Sequence, residues 1–291
     1  MLRIVVDSTA DLPRDLFDQY DIDMIPLSVH IDETEYLDKR NIKVEEVYNS
    51  LREGKDLKTS QPNPLEIIKV LEKSAKNGDD IIIITLSSKL SGTHQVINMV
   101  SNQLMDEYKD SSIHVIDSKG GSAIAGIMAL QAALLIEKKY NKNEILEVLN
   151  DLSNHCEHIF TIADLKYIIK SGRVTKAEAF IGNVLRVKPI LRVIDGEIKI
   201  YKKVRGNKKL LNTIVEIVEE KIKQFPNQIV GICHADDEGM ACQVEKLLKE
   251  KFTNIKTFVD TIGSALGTHI GIGGIGIFFF NKEPKVYINQ L

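Results

Sequence analysis

The sequence predicts an α/β fold built from two domains. In its first half, continuous apolar stretches alternate with segments of helical periodicity: RIVVD at the start, DDIIIITL from Asp79 and SIHVID from Ser112 each precede a polar loop and a helix. Strands that are apolar on both faces are typical of a parallel sheet covered by helices on both sides. Ligands of such sheets bind beyond the carboxyl ends of the strands.

The second half has a different pattern. PILRVIDGEIKIYKKV alternates apolar and polar residues around a hairpin turn at Asp195-Gly196. Helices at about 207–223 and 237–251 and two further strands follow, which predicts a mixed sheet packed against helices. We therefore expect an N-terminal α/β domain at 1–156, with a parallel sheet and the head-group loops described below, and a C-terminal α/β domain at 157–291 with a mixed sheet.

Local signals define several ends of these elements. After RIVVD, Asp11 is a candidate N-cap for a helix with Pro13 in its first turn. At the other end of the chain, VYINQL predicts a terminal strand.

Composition excludes several classes of protein. The chain has 291 residues, of which 43% are hydrophobic and 27% charged, and a formal net charge of -3, which does not favour nucleic-acid binding. Three cysteines without a C-x-x-C pair predict no disulfide framework, and the apolar run Ile4 to Val6 is too short for a signal peptide. We expect a cytoplasmic protein. The apolar run Ser122 to Ile136 is shorter than the roughly 20 residues of a membrane span, so it predicts a buried or surface-docked helix.

The stretch GTHIGIGGIGIFFF, from Gly267 to Phe280, contains a G-x-G-x-x-G pattern at Gly271, Gly273 and Gly276. A dinucleotide fingerprint requires a helix after its last glycine and an acidic residue further along, and neither follows here. The glycines instead predict a tight loop that leads into a buried strand and places His269 in that loop. On this segment alone, a histidine that merely bonds to a backbone group is the favoured interpretation.

Two further loops offer hydroxyl groups. SSKLSGTHQ, Ser87 to Gln95, lies between a predicted strand and a helix, and KTSQPNP, Lys58 to Pro64, precedes a helix that begins with proline. Both loops can be simple caps and turns. Together they also predict a pocket mouth that offers hydroxyl and backbone N–H groups to an anion. Neither contains the lysine of a P-loop or the serine of a hydrolase elbow.

No metal site is predicted. The seven histidines include no H-E-x-x-H, and His155 with His158 has no obvious partner beyond Cys156 and Glu157. Asp7 and Asp117 end their strands and can bind a cation, but helix capping is the favoured role for them. The residues alone thus indicate an anion-accepting mouth without catalytic machinery.

Seven motifs, spread in order over essentially the whole chain, resemble the DegV family. They are VVDSTADLP, TSQP, SSKLSGT, DSKGGS, LKYIIKSGRV, VKPIL and GTHIGIGGIGI. The family is similar to the fatty-acid-binding B subunit of bacterial fatty acid kinase, which implies a two-domain α/β fold that holds one long-chain fatty acid at the domain junction. The bound acid is the ligand, and no cofactor or metal is implied.

The same resemblance implies roles for particular residues. The carboxylate would be held by Thr59 and Ser91, with Gly92 beside them and with His269 and Arg173 near the head group. A separate ATP-binding kinase subunit would then phosphorylate the carboxylate to an acyl phosphate, and Arg205 matches the arginine that serves docking to that subunit. The protein itself would be a carrier without independent catalysis.

Residue chemistry leaves several points open. Small residues such as Gly263, Ala265 and Gly267, and the helix from Ile124 to Leu135, are candidate walls for an acyl chain, although such a helix is more often core. The basic segment KIYKKVRGNKK is either a solvated face or a contact for an acidic kinase surface or an anionic membrane; we favour the kinase. The alternatives to a carrier are an enzyme that acts on a phosphorylated metabolite in the same cleft, with His269 as general acid or base, and a lipid-sensing regulatory module.

Overall fold

The computed structural model describes residues 1–174 and 187–291. Thirteen strands and ten helices are assigned in these ranges. The elements of the first half are β1 (Leu2–Asp7), α1 (Arg14–Gln19), β2 (Asp23–Ile25), β3 (Ser28–Ile31), β4 (Thr34–Leu37), α2 (Val44–Arg52), β5 (Leu57–Ser60), α3 (Pro64–Lys76), β6 (Asp80–Thr85), α4 (Thr93–Glu107), β7 (Ser112–Asp117), α5 (Ala123–Glu137) and α6 (Lys142–Asn154). Those of the second half are β8 (Cys156–Thr161), α7 (Leu165–Ser171), β9 (Val187–Ile194), β10 (Glu197–Arg205), α8 (Asn207–Lys221), β11 (Ile229–His234), α9 (Glu238–Lys251), β12 (Lys256–Thr261), α10 (Ser264–Ile270) and β13 (Ile275–Phe280).

A four-stranded parallel sheet organises the first half, with strand order β2-β1-β6-β7. Alternate residues of β6 enter two separate cores: Ile81 and Ile83 pack with α3 and α4, and Ile82 and Ile84 pack on the α5 side. The sheet therefore has helices on both faces, as its continuous apolar strands predict.

A six-stranded mixed sheet organises the second half, with strand order β10-β9-β8-β13-β11-β12. Only β11 and β12 are parallel, and the other neighbours are antiparallel. The hairpin turn is at Asp195 and Gly196, whose φ angles of 52° and 81° match a turn in which both central residues have positive φ. The predicted α/β fold class, with one parallel and one mixed sheet, is confirmed.

Helix α5 lies between the two sheets. It contacts β1 and β6 on one side and β11 and β13 on the other, and every residue from Ala123 to Leu135 is buried. Gly126 allows this packing, because a Cβ at that position would overlap the Asp11 backbone carbonyl. The apolar run is thus a core helix, and none of its residues from Ile124 to Leu135 lines the main cavity.

Two sequence predictions about the elements are wrong, and one sheet was missed. Asp11 does not cap α1, because Pro13 is the N-cap and the Asp11 carboxylate bonds to Lys39 and Ser122 instead. VYINQL forms no strand; Gln131 and the Ile288 backbone exchange two hydrogen bonds, at 2.8 and 2.9 Å, which satisfy that backbone without a ladder. A third sheet, β4-β3-β5, was not predicted at all.

Candidate functional site

The TSQP motif begins at the end of β5. This strand pairs antiparallel with β3, so that Val29 lies opposite Thr59. Thr59 Oγ1 lies 2.7 Å from His269 Nε2, a hydrogen bond between residues 210 positions apart. The unpredicted third sheet is therefore what brings Thr59 to the C-terminal part of the chain.

The SGT motif lies in the loop between β6 and α4. Ser91 Oγ lies 2.8 Å from Thr93 Oγ1 and accepts a hydrogen bond from the Thr93 amide at 3.2 Å, so Ser91 does help to cap α4. Gly92 is the N-cap residue, and a Cβ there would overlap the Gln61 side chain of TSQP. The two hydroxyl loops therefore lie in contact at one mouth.

His269 lies on a helix, α10, and not in the predicted loop. The helix ends at Gly271, where φ is 71°. A neutral imidazole is favoured here, because burial lowers the pKa of His269 to about 4 and the positive charge of Arg173 contributes. His269 thus presents a neutral ring to the mouth, where it can accept or donate one hydrogen bond at Nε2.

The N-terminal end of α10 is held by two carboxylates from the first half. Asp11 accepts hydrogen bonds from the Gly263 amide at 3.1 Å and from Ser122 Oγ at 2.7 Å, and Lys39 pairs with it at 2.8 Å. Asp38 accepts from the Ala265 amide at 3.3 Å. These contacts fix the helix that carries His269 against the loops after β1 and β4.

Glycines of the G-x-G-x-x-G stretch make room for aromatic rings. A Cβ at Gly276, in β13, would overlap the Phe278 ring, and one at Gly271 would overlap the Tyr167 ring. Since β13 is a buried strand with no helix after it, the stretch has none of the geometry of a phosphate loop.

One cavity, of about 1000 Å³ with its open mouth included, connects these features. Thr59, Ser91, Arg173 and His269 lie together in its lining, at the polar mouth. The remaining wall is mostly apolar and draws on both halves of the chain: Leu27, Leu86, Leu90, Phe160, Ile168, Val193, Ile198, Ile262, Ala265, Leu266, Ile270, Ile275 and Phe278.

Arg173 has further contacts at the mouth, and the other predicted site residues lie beside the mouth or away from it. Arg173 is exposed and donates to the backbone carbonyls of Ser171 and, at 3.4 Å, of Leu90, so its guanidinium braces the residue before Ser91. Gly92 lines an adjacent surface hollow with Ser91 and Gln61. Arg205 lies in a separate exposed cleft with Lys208 and Lys209 at the start of α8. Of the small residues proposed as wall, only Ala265 reaches the cavity.

Sequence reasoning missed His158 as a cavity residue. It lies in β8 and is only 2% exposed, and its ring packs edge-on against Phe278 with 5.6 Å between the centroids. The available signal is a histidine inside the apolar strand HIFTIA, whose spacing from His155 suggests only a metal ligand. Within the described part of the chain, no cluster of three or more His, Cys, Asp or Glu side chains could hold a metal ion.

The DegV family model, described as an uncharacterised protein family, matches residues 1–282. The chain belongs to the DegV family. A DegV domain-containing protein from Caldanaerobacter subterraneus is 34% identical over 281 residues, which cover 97% of this chain and 99% of that protein. One from Clostridium perfringens is 32% identical over 286 residues, with coverage of 97% and 98%.

Solved DegV structures share the fold. A DegV family protein from Thermus thermophilus, described for its fatty acid binding, superposes with a TM-score of 0.88 at 26% identity, covering 96% of this chain and 99% of that one. DegV from Bacillus subtilis, described as a fatty acid binding protein, superposes with a TM-score of 0.84 at 29% identity, with coverage of 96% and 99%.

Proposed function

We propose that this protein binds one long-chain fatty acid, with the carboxylate at the polar mouth and the acyl chain in the apolar part of the cavity. The observation that carries this proposal is the division of a single cavity into a mouth with hydrogen-bonding side chains and a wall of aliphatic and aromatic ones. The fatty-acid-binding DegV proteins of Thermus thermophilus and Bacillus subtilis, which share the fold, support it.

The chemistry of the two regions suits the two ends of this ligand. A carboxylate is held most strongly by charge-assisted hydrogen bonds, and hydroxyl groups, an imidazole and a guanidinium lie at the mouth. Each acyl methylene transferred from water to the wall contributes about 0.8 kcal/mol. We place the ligand between an N-terminal domain at 1–156 and a C-terminal domain at 157–291, since both halves supply wall residues.

Thr59 and His269 would have distinct roles, because only one of them can donate a proton to the hydrogen bond between them. The Thr59 hydroxyl has one proton, and in binding it would donate that proton to the carboxylate. His269 Nε2 would then have to donate to Thr59 Oγ1 across their 2.7 Å contact. The neutral imidazole thus orients and polarises the hydroxyl, and a direct bond from Ser91 Oγ would hold the second carboxylate oxygen.

We further propose that the protein presents this carboxylate to a separate ATP-binding kinase subunit. A carboxylate oxygen would attack the γ-phosphate of ATP, ADP would leave, and an acyl phosphate would form. The protein would bind and orient the fatty acid without catalysing a reaction of its own. It would act in the cytoplasm and make transient contact with the membrane surface.

Arg205 is the docking residue in this proposal. It is exposed at the end of β10, beside Lys208 and Lys209, in a cleft separate from the cavity. An exposed cationic group of this kind suits an acidic partner surface, where it would affect association more than ligand binding.

Reconstitution with the kinase subunit tests both parts. Arg205→Ala should leave fatty acid affinity unchanged and reduce acyl phosphate formation at limiting kinase. Arg14→Ala, which removes an exposed guanidinium on α1, is the matched control and should leave both unchanged. Loss of fatty acid binding in Arg205→Ala would refute the division of roles, and turnover of a phosphorylated metabolite by the protein alone would favour the enzyme alternative.

A further inference from the structure

The cavity wall contains one buried polar group that the proposed function does not use. Of the four buried polar side chains in the described wall, three have acceptors inside the protein. Thr9 Oγ1 donates to Asp7 at 2.5 Å, Ser122 Oγ to Asp11 at 2.7 Å and Thr161 Oγ1 to the Pro189 carbonyl at 2.7 Å. The fourth is His158, whose Nδ1 is buried and has no hydrogen-bond partner among the described residues.

The protonation state of His158 makes this atom a donor. Burial lowers the pKa of His158 to about 3, and the charge of Arg192 contributes, so the ring is neutral. Gly121 donates its amide to Nε2 at 3.4 Å, which makes Nε2 the acceptor of the ring. The single ring proton is therefore on Nδ1.

The surrounding chain holds the imidazole in this position. A Cβ at Gly120 would overlap the His158 ring, so the ring lies directly against backbone in the middle of the loop before α5. Phe278 packs against it from the neighbouring strand, where the two residues are paired in register. A buried donor without an acceptor is unfavourable, and a ligand that supplied an acceptor would remove that penalty.

We propose that the preferred ligand is an acyl chain that carries an oxygen function, a hydroxyl or keto group, which accepts a hydrogen bond from His158 Nδ1. This inference rests on the proposed fatty acid function and narrows its substrate class. The neutral donor suits a neutral oxygen acceptor better than a second carboxylate. His158 contacts Gly121 and Phe278, which belong to the cavity lining outside the four mouth residues, so the oxygen would lie along the chain and away from the carboxylate.

A series of octadecanoic acids with a hydroxyl or keto group at successive carbons tests the proposal. Dissociation constants are compared with that of octadecanoic acid for the wild-type protein, His158→Leu and His158→Asn. We expect the wild type to favour one position, or two adjacent positions, by about tenfold, the effect of satisfying one buried hydrogen bond.

The two variants distinguish the effect of the Nδ1 hydrogen-bond donor from the effect of the shape of the imidazole ring. His158→Leu should bind octadecanoic acid and lose the preference for the oxygenated acids. His158→Asn, whose side-chain amide offers a donor close to the Nδ1 position, should retain part of it. His114→Leu, which removes an imidazole on β7 outside the cavity wall, is the matched control and should retain the positional preference.

Three outcomes would overturn the proposal. If the wild type binds octadecanoic acid but favours no oxygenated position, the inference fails and the proposed function stands. If the preference persists in His158→Leu, another group recognises the oxygen. If the wild type binds none of the acids, the proposed function fails as well.

Discussion

His269 at the mouth of the cavity and His158 in its wall are both neutral imidazoles, but they are partnered differently. His269 bonds to the Thr59 hydroxyl, which can pass a hydrogen bond on to a charged ligand. His158 sits among Gly120, Gly121 and Phe278 with an unpartnered Nδ1. In the proposed complex, the mouth would recognise charge through paired groups, whereas the wall would recognise the shape and sparse polarity of an acyl chain.

Acyl chain length should produce the largest effect and should depend on the wall alone. From decanoic to octadecanoic acid, the added methylenes should together strengthen binding by about 6 kcal/mol, at about 0.8 kcal/mol each, if every one of them is buried. Isothermal titration with the series of acids measures the slope of binding free energy against chain length. A slope near zero would contradict an acyl chain in the cavity.

The head-group variants should shift binding without changing that slope. Thr59→Ala and Ser91→Ala each remove a hydrogen bond to a charged group and should weaken binding by about 1 to 3 kcal/mol at every chain length. Ser112→Ala is the matched control, because Ser112 Oγ also bonds to an imidazole, His114 Nε2 at 3.0 Å, on β7 and outside the cavity wall. Affinities that are unchanged in both head-group variants would refute the assigned mouth.

A change in the wall should instead lower the slope for the longest acids. In Gly276→Ala the new methyl group overlaps the Phe278 ring, and the ring must turn to relieve the overlap. If the ring turns into the cavity, it takes the space of about two methylenes and weakens the binding of octadecanoic acid by about 1.5 kcal/mol. Decanoic acid serves as the internal control. If the variant binds short and long acids more weakly by the same amount, the mouth and the wall are not independent.

The smallest expected effect is a change in the protonation of one histidine and not the other. A bound carboxylate favours the charged imidazole, so the pKa of His269 should rise from about 4 when a fatty acid binds. Affinity for the ionised acid should therefore increase as the pH falls toward 4. The pKa of His158, about 3, should not move with octadecanoic acid. Carbon NMR of labelled histidines follows both, and a shift of His158 alone would reverse the assignment of the two ends.

The sequence predicted much of the fold because its signals are local. The continuous apolar strands and the Asp195-Gly196 turn are determined by residues that are adjacent in the sequence. The two main sheets and the hairpin could therefore be predicted from them. The wrong predictions concern segments whose structure depends on a hydrogen-bond partner that is distant in the sequence. The Asp11 carboxylate bonds to Lys39, Ser122 and the Gly263 amide instead of capping α1. The C-terminal segment bonds to Gln131 instead of forming a strand.

For the candidate site, residue patterns alone gave the two hydroxyl loops and a shared mouth, but not the contact between that mouth and His269. Thr59 reaches His269 through a third sheet that no periodicity indicated, and His269 lies on a helix where the glycines predicted a loop. The resemblance to DegV proteins supplied that grouping, whose role in binding stays a prediction. His158 was missed because its significance depends on what surrounds its Nδ1, which no single strand pattern contains.

Native mass spectrometry of the protein purified from a bacterial host, followed by extraction of whatever is released, tests the central claim most directly. The account predicts one long-chain fatty acid per protein molecule, and fragmentation of that acid would show whether it carries an oxygen along its chain. A protein that carries no lipid and binds no added fatty acid would contradict the account.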